Sequence, residues 1–168
     1  MDIRLATLDD LPRLKAMYAK IIESMNKNNI QIWDEWYPYE MFPDDIAKRQ
    51  LYVLTENADI LSAFALCDSM EGADFAGWKD PQAKAMYINR LGVNADYARK
   101  GIGSAALREA MALAAEKGAG YLRLFVVDSN EPAINLYKRS GFTQLSETYE
   151  EAIDEELVLH EYAFEMMI

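Results

Sequence analysis

The chain has 168 residues, of which 51% are hydrophobic and 27% are charged, and its formal net charge is -11. This length predicts a single domain over residues 1–168, and the acidic balance argues against a surface that binds nucleic acid or an anionic membrane. Because no apolar run approaches a membrane span and the N-terminus MDIRLATLDD lacks the pattern of a secretory signal, we expect a cytoplasmic protein.

The first part of the chain predicts a strand, two helices and a hairpin. The alternating segment DIRLA predicts a strand, and Thr7 with Asp10 three residues later has the form of a capping box that opens a helix. Apolar residues then recur at helical spacing. They are Leu11, Leu14, Tyr18, Ile21 and Met25. An irregular aromatic segment, 28–42, comes next, and a short helix fits residues 43–50. LYVLT and ILSAFAL predict the two strands of the hairpin. Cys67 follows them and is expected to be a buried core thiol.

The second part predicts four further strands and two helices. A loop over residues 68–82 precedes the strand AMYINRLGV, which leads into a helix that Gly118 ends. The strand YLRLFVV, the helix SNEPAINLYKRSG and the strands FTQLSETY and LVLHEYAFEM follow, the last two around the acidic loop EEAIDEE. This order predicts an α/β fold with one mixed sheet, and its central strand, helix and parallel strand form a right-handed crossover. Ligands of such units lie outside the carboxyl ends of the strands.

The stretch DYARKGIGSAAL lies at that end of the sheet and has the composition of an anion site. A helix N-terminus presents unpaired backbone N–H groups, and glycines let an anion approach them closely. The residues that fit this role by charge, small size or hydroxyl are Arg99, Lys100, Gly101, Gly103 and Ser104. Taken alone, the loop is equally well explained as an ordinary turn with solvated basic residues, and it matches neither the Walker loop nor the dinucleotide fingerprint.

This loop and the stretch NEPAINLYKRSGF together resemble the GNAT superfamily of N-acetyltransferases. Members carry Gln/Arg-x-x-Gly-x-Gly/Ala before a helix and later Asn-x-x-Ala-x-x-x-Tyr-x-x-x-Gly-Phe. The second pattern is matched by Asn130, Ala133, Tyr137, Gly141 and Phe142. The first is matched by ARKGIG, except that Ala98 stands where the family usually has Gln or Arg. The resemblance implies a mixed, mostly antiparallel sheet of about seven strands, with helices on both faces and splayed central parallel strands.

The resemblance also implies acetyl-CoA as the cosubstrate, without a metal ion. In the family the pyrophosphate rests on the loop, and the pantetheine arm pairs with strand backbone groups that would otherwise be unpaired. The cofactor-binding residues implied are Leu91, Val93, Arg99, Lys100, Gly101, Ile102, Gly103, Ser104 and Asn130. The N–H of Leu91 is the implied donor to the thioester oxygen. Asn130 can instead act only as the cap of its helix.

The family reaction is a direct attack of a neutral amine on the thioester in a ternary complex. Tyr137 matches the family's acid for the departing thiolate, and its alternative role is that of a core aromatic residue. The base stays open among a water chain, Asp68, Asp128 and a peripheral carboxylate. His160, the only histidine, is expected to be structural rather than catalytic.

The acceptor is expected between segment 28–42 and the loop 68–82, where family members vary. Aromatic side chains there can hold an amine by cation–π contact, or they can form a hydrophobic lid or a homodimer contact. They are Trp33, Trp36, Tyr37 and Trp78. The acceptor class is an amine-bearing small molecule or a peptide. The competing function is a non-catalytic acyl-CoA sensor or an interaction module, which turnover with any amine would exclude.

Overall fold

A computed structural model describes all residues from 1 to 168 and contains one seven-stranded mixed sheet with the strand order β1-β2-β3-β4-β5-β7-β6. The strands are β1 (Asp2–Leu5), β2 (Leu51–Glu56), β3 (Asp59–Cys67), β4 (Ala85–Val93), β5 (Tyr121–Val127), β6 (Thr143–Ala152) and β7 (Val158–Met167). The α-helices are α1 (Leu11–Lys27), α2 (Phe42–Ala47), α3 (Ile102–Glu116) and α4 (Glu131–Arg139). The predicted α/β class with a mixed sheet is confirmed. None of the helices is long and apolar enough to cross a lipid bilayer.

Two predicted boundaries differ from the structure. Helix α2 stops at Ala47 because Arg49 adopts a left-handed backbone with φ 55°, and the N–H of Gln50 closes the last turn on the carbonyl of Asp45 at 3.0 Å. Strand β6 continues to Ala152, although the sequence predicts an acidic loop from residue 150. Backbone pairing with β7 holds this end of the hairpin in register, and that pairing outweighs the repulsion among side chains that stay in contact with solvent.

The chain forms two compact units, of which the first comprises residues 1–66 and 89–109. Its core contains β2, β3 and the inner face of α1, where Leu14 and Tyr18 are buried. The predicted capping box is present before α1: the carboxylate of Asp10 accepts the backbone N–H of Thr7 at 2.9 Å. Asp10 also forms an ion pair with Arg4 at 2.7 Å, which lowers the pKa of this buried carboxyl. The cap therefore ties the end of β1 to the start of α1.

The second unit comprises residues 67–88 and 110–168. The loop 68–82 folds over β5 with an aromatic cluster, in which the rings of Phe75 and Trp78 lie 5.7 Å and 5.1 Å from Phe125. Gly72 adopts φ 83° in this loop, and a Cβ there would lie 2.7 Å from the ring of Phe125. The close approach therefore requires glycine. Cys67 is buried, so the predicted core thiol is confirmed.

A buried ion pair links β5 to β7 in this unit. Arg123 and Glu165 are directly opposite each other in the two strands, with Nε 3.1 Å from Oε2, and both side chains are almost completely excluded from solvent. Arg123 also donates to the carbonyl of Asp80 at 2.6 Å, while Glu165 accepts the N–H of Lys79 at 3.2 Å. The pair therefore anchors the end of the loop 68–82 as well as the two strands.

We expect Glu165→Gln to destabilise the protein by about 3–5 kcal/mol, because it leaves the guanidinium of Arg123 buried without its counter-charge. Chemical denaturation measures the loss. The double variant Arg123→Met/Glu165→Leu removes both charges, and it should recover most of the stability. A double variant that is no more stable than the single one would show that the unpaired charge is not the cause.

Candidate active site

The loop that precedes α3 has a backbone suited to an anion. Helix α3 begins at Ile102, and just before it Arg99 and Gly101 adopt left-handed backbones with φ 62° and 75°. Left-handed residues beside ordinary ones turn successive backbone N–H groups toward one side, which is the geometry of an anion-binding nest. Arg99, Lys100 and Gly101 are exposed, whereas Ile102 and Gly103 are buried and can contribute only through the backbone. A Cβ at Gly101 would have no neighbour within 4 Å, so a side chain at this position would meet no steric obstacle.

The entry to this loop is fixed on β3. Asn94 caps the short turn that follows β4, since its side chain accepts the N–H of Asp96 at 3.0 Å and donates to the carbonyl of Ile60 at 2.9 Å. Tyr97 donates to the carboxylate of Asp59 at 2.6 Å, and the ammonium of Lys100 lies 5.0 Å from its ring. These contacts attach the loop to β3, while the side chains of Arg99 and Lys100 are exposed to solvent.

The second half of β4 contains an unusual backbone conformation. The pairing between β4 and β5 is parallel and joins only Ala85, Met86 and Tyr87 to residues 121–123. Farther along, Arg90 adopts φ 56° in the strand interior, a conformation that is rare for a residue with a Cβ. The predicted cofactor residues Leu91 and Val93 follow it, and both are half-buried.

Two buried hydroxyl groups hold the backbone of β4 at these residues. Tyr18 of α1 donates to the carbonyl of Arg90, and the carbonyl of Ala63 lies 3.2 Å from the same hydroxyl. Ser62 of β3 donates to the carbonyl of Gly92 at 2.7 Å. Both side chains are buried, and burial raises the pKa of Tyr18, which therefore stays protonated as a donor.

The side chain of Arg90 is buried against α2. Its guanidinium donates to both carboxylate oxygens of Asp45, at 2.9 Å and 2.7 Å, and Gln50 donates to the same carboxylate at 2.8 Å. Tyr37 also hydrogen bonds to Arg90, which connects segment 28–42 to β4. The carboxylate of Asp45 raises the pKa of Arg90 despite the cost of its burial. Sequence reasoning missed this pair, because Asp45 has the position of an ordinary charge in the first turn of a helix.

The predicted acceptor residues of segment 28–42 differ in exposure. Trp36 is 66% exposed, whereas Trp33 is half-buried with its ring 5.5 Å from that of Tyr18. The carboxylate of Asp34 accepts the N–H groups of Trp36 and Tyr37 at 2.8 Å each, and these bonds lower its pKa. The segment is thus a turn in which the carboxylate of Asp34 binds backbone N–H groups, while the indole of Trp36 is exposed to solvent.

Helix α4 places Asn130 and Tyr137 in the second unit. The side chain of Asn130 accepts the N–H of Ala133 at 3.3 Å, so its capping role is confirmed. Tyr137 is 7% exposed and lies against the rings of Phe142 and Phe164. Burial raises its pKa well above the usual value of 10, so the phenol is neutral and able to donate at any physiological pH. Contacts of either residue with a cofactor stay predictions.

Trp78, the fourth predicted acceptor residue, lies in the aromatic cluster of the second unit. It is 3% exposed, and the guanidinium of Arg123 lies 4.8 Å from its ring. Its indole nitrogen has no hydrogen-bond partner. The acceptor role of Trp78 stays a prediction, and the observed surroundings are those of a packing residue.

A group of carboxylates near the start of β7 was not predicted from the sequence. Glu161 lies opposite Tyr149 of β6, which is two residues from Glu151 along the same strand. Burial and the repulsion of Glu151 and Glu71 raise the pKa of Glu161 to about 7. A carboxyl with this pKa exchanges its proton near neutral pH. The sequence signal was hidden because residues 150–156 have the composition of a solvated loop, and the register of the hairpin was unknown.

The predicted site residues are divided between the two units. The first unit contains the loop, the second half of β4 and segment 28–42, with Leu91, Val93, Arg99, Lys100, Gly101, Ile102, Gly103, Ser104, Trp33, Trp36 and Tyr37. The second unit contains Asn130, Tyr137 and Trp78. Within the first unit, the arrangement can hold a phosphate on backbone N–H groups and an amide chain along β4.

Comparison with solved structures identifies the fold. The crystal structure of a GNAT family acetyltransferase from Streptococcus agalactiae 2603 superimposes with a TM-score of 0.79 at 15% identity, covering 99% of this chain and 95% of that one. At this identity the likeness shows the fold alone. The fold of this chain is therefore that of the GNAT acetyltransferases.

The chain belongs to the acetyltransferase (GNAT) family, whose model matches residues 16–142. It is 34% identical over 73 residues to the thialysine N-epsilon-acetyltransferase of Bos taurus, covering 44% of this chain and 41% of that protein. It is 27% identical over 146 residues to an uncharacterized N-acetyltransferase of Methanocaldococcus jannaschii, covering 84% of this chain and 60% of that protein. The chain therefore spans less than two thirds of the length of these relatives.

We expect Glu161→Gln to stabilise the protein at pH 8 and to have little effect at pH 4. The folded pKa of Glu161, about 7, lies above the ordinary value of 4.5, so folding favours its protonated form. The contribution of Glu161 to stability is therefore full below pH 4.5 and is lost as the pH rises through 7. The gain at pH 8 should be on the order of 1 kcal/mol after solvent screening.

Urea denaturation at several pH values measures this effect. Glu155→Gln in the exposed turn after β6 is the matched control, because it changes the net charge equally. Equal stabilisation by both substitutions would show that net charge, rather than the surroundings of Glu161, is responsible.

Proposed function

We propose that this chain transfers an acetyl group from acetyl-CoA to an amine. The observation that carries the proposal is the pair of left-handed residues, Arg99 and Gly101, directly before α3 in a chain of the GNAT family. Their backbone gives an anion access to the N–H groups of the helix start. Cytoplasmic acetyl-CoA is the expected source of the acyl group.

The loop and β4 would share the binding of the cosubstrate. The pyrophosphate would rest on the backbone N–H groups of residues 99–104, with Arg99 and Lys100 adding local positive charge to a chain whose net charge is -11. The amides of the pantetheine arm would pair with the backbone of Leu91 and Val93. The fit is supported by the exposed, left-handed backbone at Arg99 and Gly101.

The chemistry then requires one bond to form, one to break and two proton transfers. Acetyl-CoA supplies the acyl group as a thioester. The neutral amine attacks the carbonyl carbon directly, the N–H of Leu91 stabilises the negative charge that develops on the carbonyl oxygen, and the C–S bond breaks. Tyr137 would donate its proton to the departing thiolate and regain a proton from solvent, and the proton that the amine loses would also pass to solvent. Burial raises the pKa of Tyr137, so its phenol holds a proton at neutral pH.

The acceptor is proposed to be cationic before it loses its proton. Segment 28–42 contains the exposed ring of Trp36 and the ionised carboxylate of Asp34, each of which attracts an ammonium group. Trp33 and Tyr37 would extend this surface. The bovine relative is named for transfer to an N-epsilon amine, which supports an amine acceptor for this chain.

A thiol-release assay with acetyl-CoA and a panel of amines tests the proposal. The panel should contain polyamines, amino acids, aminoglycosides and peptides with free N-termini or lysines. Turnover with any member supports acetyl transfer and names the acceptor class. Binding of coenzyme A without turnover would favour the acyl-CoA sensor, and the absence of both would contradict the proposal.

Gly101→Asp should weaken coenzyme A binding at least tenfold, because it places a carboxylate against the pyrophosphate. The Cβ itself has space, and Asp tolerates a left-handed backbone better than most residues. Gly101→Asn is the matched control, with nearly the same shape and no charge. Calorimetric titration compares the two variants, and equal affinities would place the pyrophosphate elsewhere.

Tyr137→Phe should lower the rate of acetyl transfer by roughly a hundredfold to ten-thousandfold, the usual effect of removing a positioned proton donor. The ring remains, so the melting temperature and the coenzyme A affinity should change little. Single-turnover kinetics measure the rate. Tyr52→Phe is the control, since Tyr52 is also 7% exposed. Near-normal rates in Tyr137→Phe would show that Tyr137 only packs and that water protonates the thiolate.

A further inference from the structure

Three peptide groups of β4 are held from one side by hydroxyl groups that the proposed reaction does not otherwise use. Tyr18 donates to the carbonyl of Arg90, and the N–H of Gly92 hydrogen bonds to the same tyrosine oxygen. Ser62 donates to the carbonyl of Gly92. These contacts join residues that are far apart in the sequence, so they are features of the tertiary fold.

Because the peptide bond is planar, these contacts also determine where the N–H groups of the following residues point. In a trans peptide the C=O and the following N–H share one plane and point in opposite directions. The carbonyl of Arg90 and the N–H of Leu91 belong to one such plane, so holding the carbonyl on Tyr18 directs that N–H away from Tyr18. In the same way, holding the carbonyl of Gly92 on Ser62 directs the N–H of Val93 away from β3.

The backbone conformation at Arg90 and the absence of a side chain at Gly92 fit these hydrogen bonds. Its left-handed φ of 56° is unfavourable for a residue with a Cβ and persists only where the surroundings enforce it. Asp45, which is 1% exposed, holds the Arg90 side chain by two hydrogen bonds. At Gly92 an added Cβ would lie 2.7 Å from Cζ of Tyr18, so only glycine lets the phenol reach the strand.

We propose that Tyr18 and Ser62 are positioning residues, which aim the N–H of Leu91 at the thioester oxygen and the N–H of Val93 at the pantetheine arm. This inference rests on the proposed acetyl transfer. Tyr18 acts on the donor that stabilises the developing charge, whereas Ser62 acts on a donor that binds the cosubstrate equally throughout the reaction. The two hydroxyls therefore affect different kinetic constants.

Tyr18→Phe and Ser62→Ala test this division. Tyr18→Phe should lower kcat about tenfold to hundredfold with little change in coenzyme A affinity, because a misdirected donor acts mainly in the transition state. Ser62→Ala should weaken coenzyme A binding about threefold to tenfold with little change in kcat at saturation, the effect of one net hydrogen bond. Tyr52→Phe is the control for loss of a buried phenolic hydroxyl and should change neither constant.

Thiol release with the best amine of the panel gives kcat, and calorimetry gives the affinity for coenzyme A. A purely structural role would lower the melting temperature and move both constants together, and that result would overturn the inference, as would unchanged constants. Should Tyr18→Phe fail to fold, Ser62→Ala decides: a selective loss of affinity supports the inference and no change contradicts it. If the wild-type protein transfers no acetyl group, the proposed function fails, and the inference fails with it. If the wild-type protein is active and the division is absent, only the inference fails.

Discussion

The backbone of β4 from Arg90 to Val93 is the constraint on which the first unit depends. A strand interior normally satisfies its N–H and C=O groups by pairing on both edges, and buried groups left unpaired are costly. Here α1 and β3 provide hydroxyl partners for the carbonyls of Arg90 and Gly92. The N–H groups of Leu91 and Val93 point away from these partners, and they are the groups proposed to bind the cosubstrate. The same few peptide groups therefore matter both for the stability of the strand and for the proposed reaction.

Each unit also contains one buried ion pair between an arginine and a carboxylate. Arg90 is paired with Asp45 in the first unit, and Arg123 with Glu165 in the second. Both arginines contact aromatic side chains, Tyr37 in one case and Trp78 in the other. Such pairs add little net stability over apolar packing. They do require a precise geometry, because displacement of one partner leaves the charge of the other buried and unpaired. They therefore fix segment 28–42 and the loop 68–82 more tightly than loop composition suggests.

The sequence predicted the sheet and the loop before α3 because their signals are local. Periodicity marks the strands and helices, and the glycines of the loop need no tertiary partner to be recognised. The role of Tyr18 could not be found in this way, because its place on the apolar face of α1 is that of any core residue and its partners lie 45 and 72 residues away. Glu161 was missed for the same reason, since its raised pKa depends on the register of a hairpin. Residues whose function depends on distant partners are invisible to local patterns.

The distribution of the three tryptophans gives the two units separate optical reporters. Trp36 is exposed and Trp33 half-buried in the first unit, whereas Trp78 is buried in the second with a guanidinium over its ring. An indole in water emits at longer wavelength than one in an apolar core. The emission spectrum therefore contains a red component from the turn at Asp34 and a blue component from the aromatic cluster over β5. Unfolding of the second unit would shift the blue component to longer wavelength, whereas the red component from the already exposed Trp36 would stay in place.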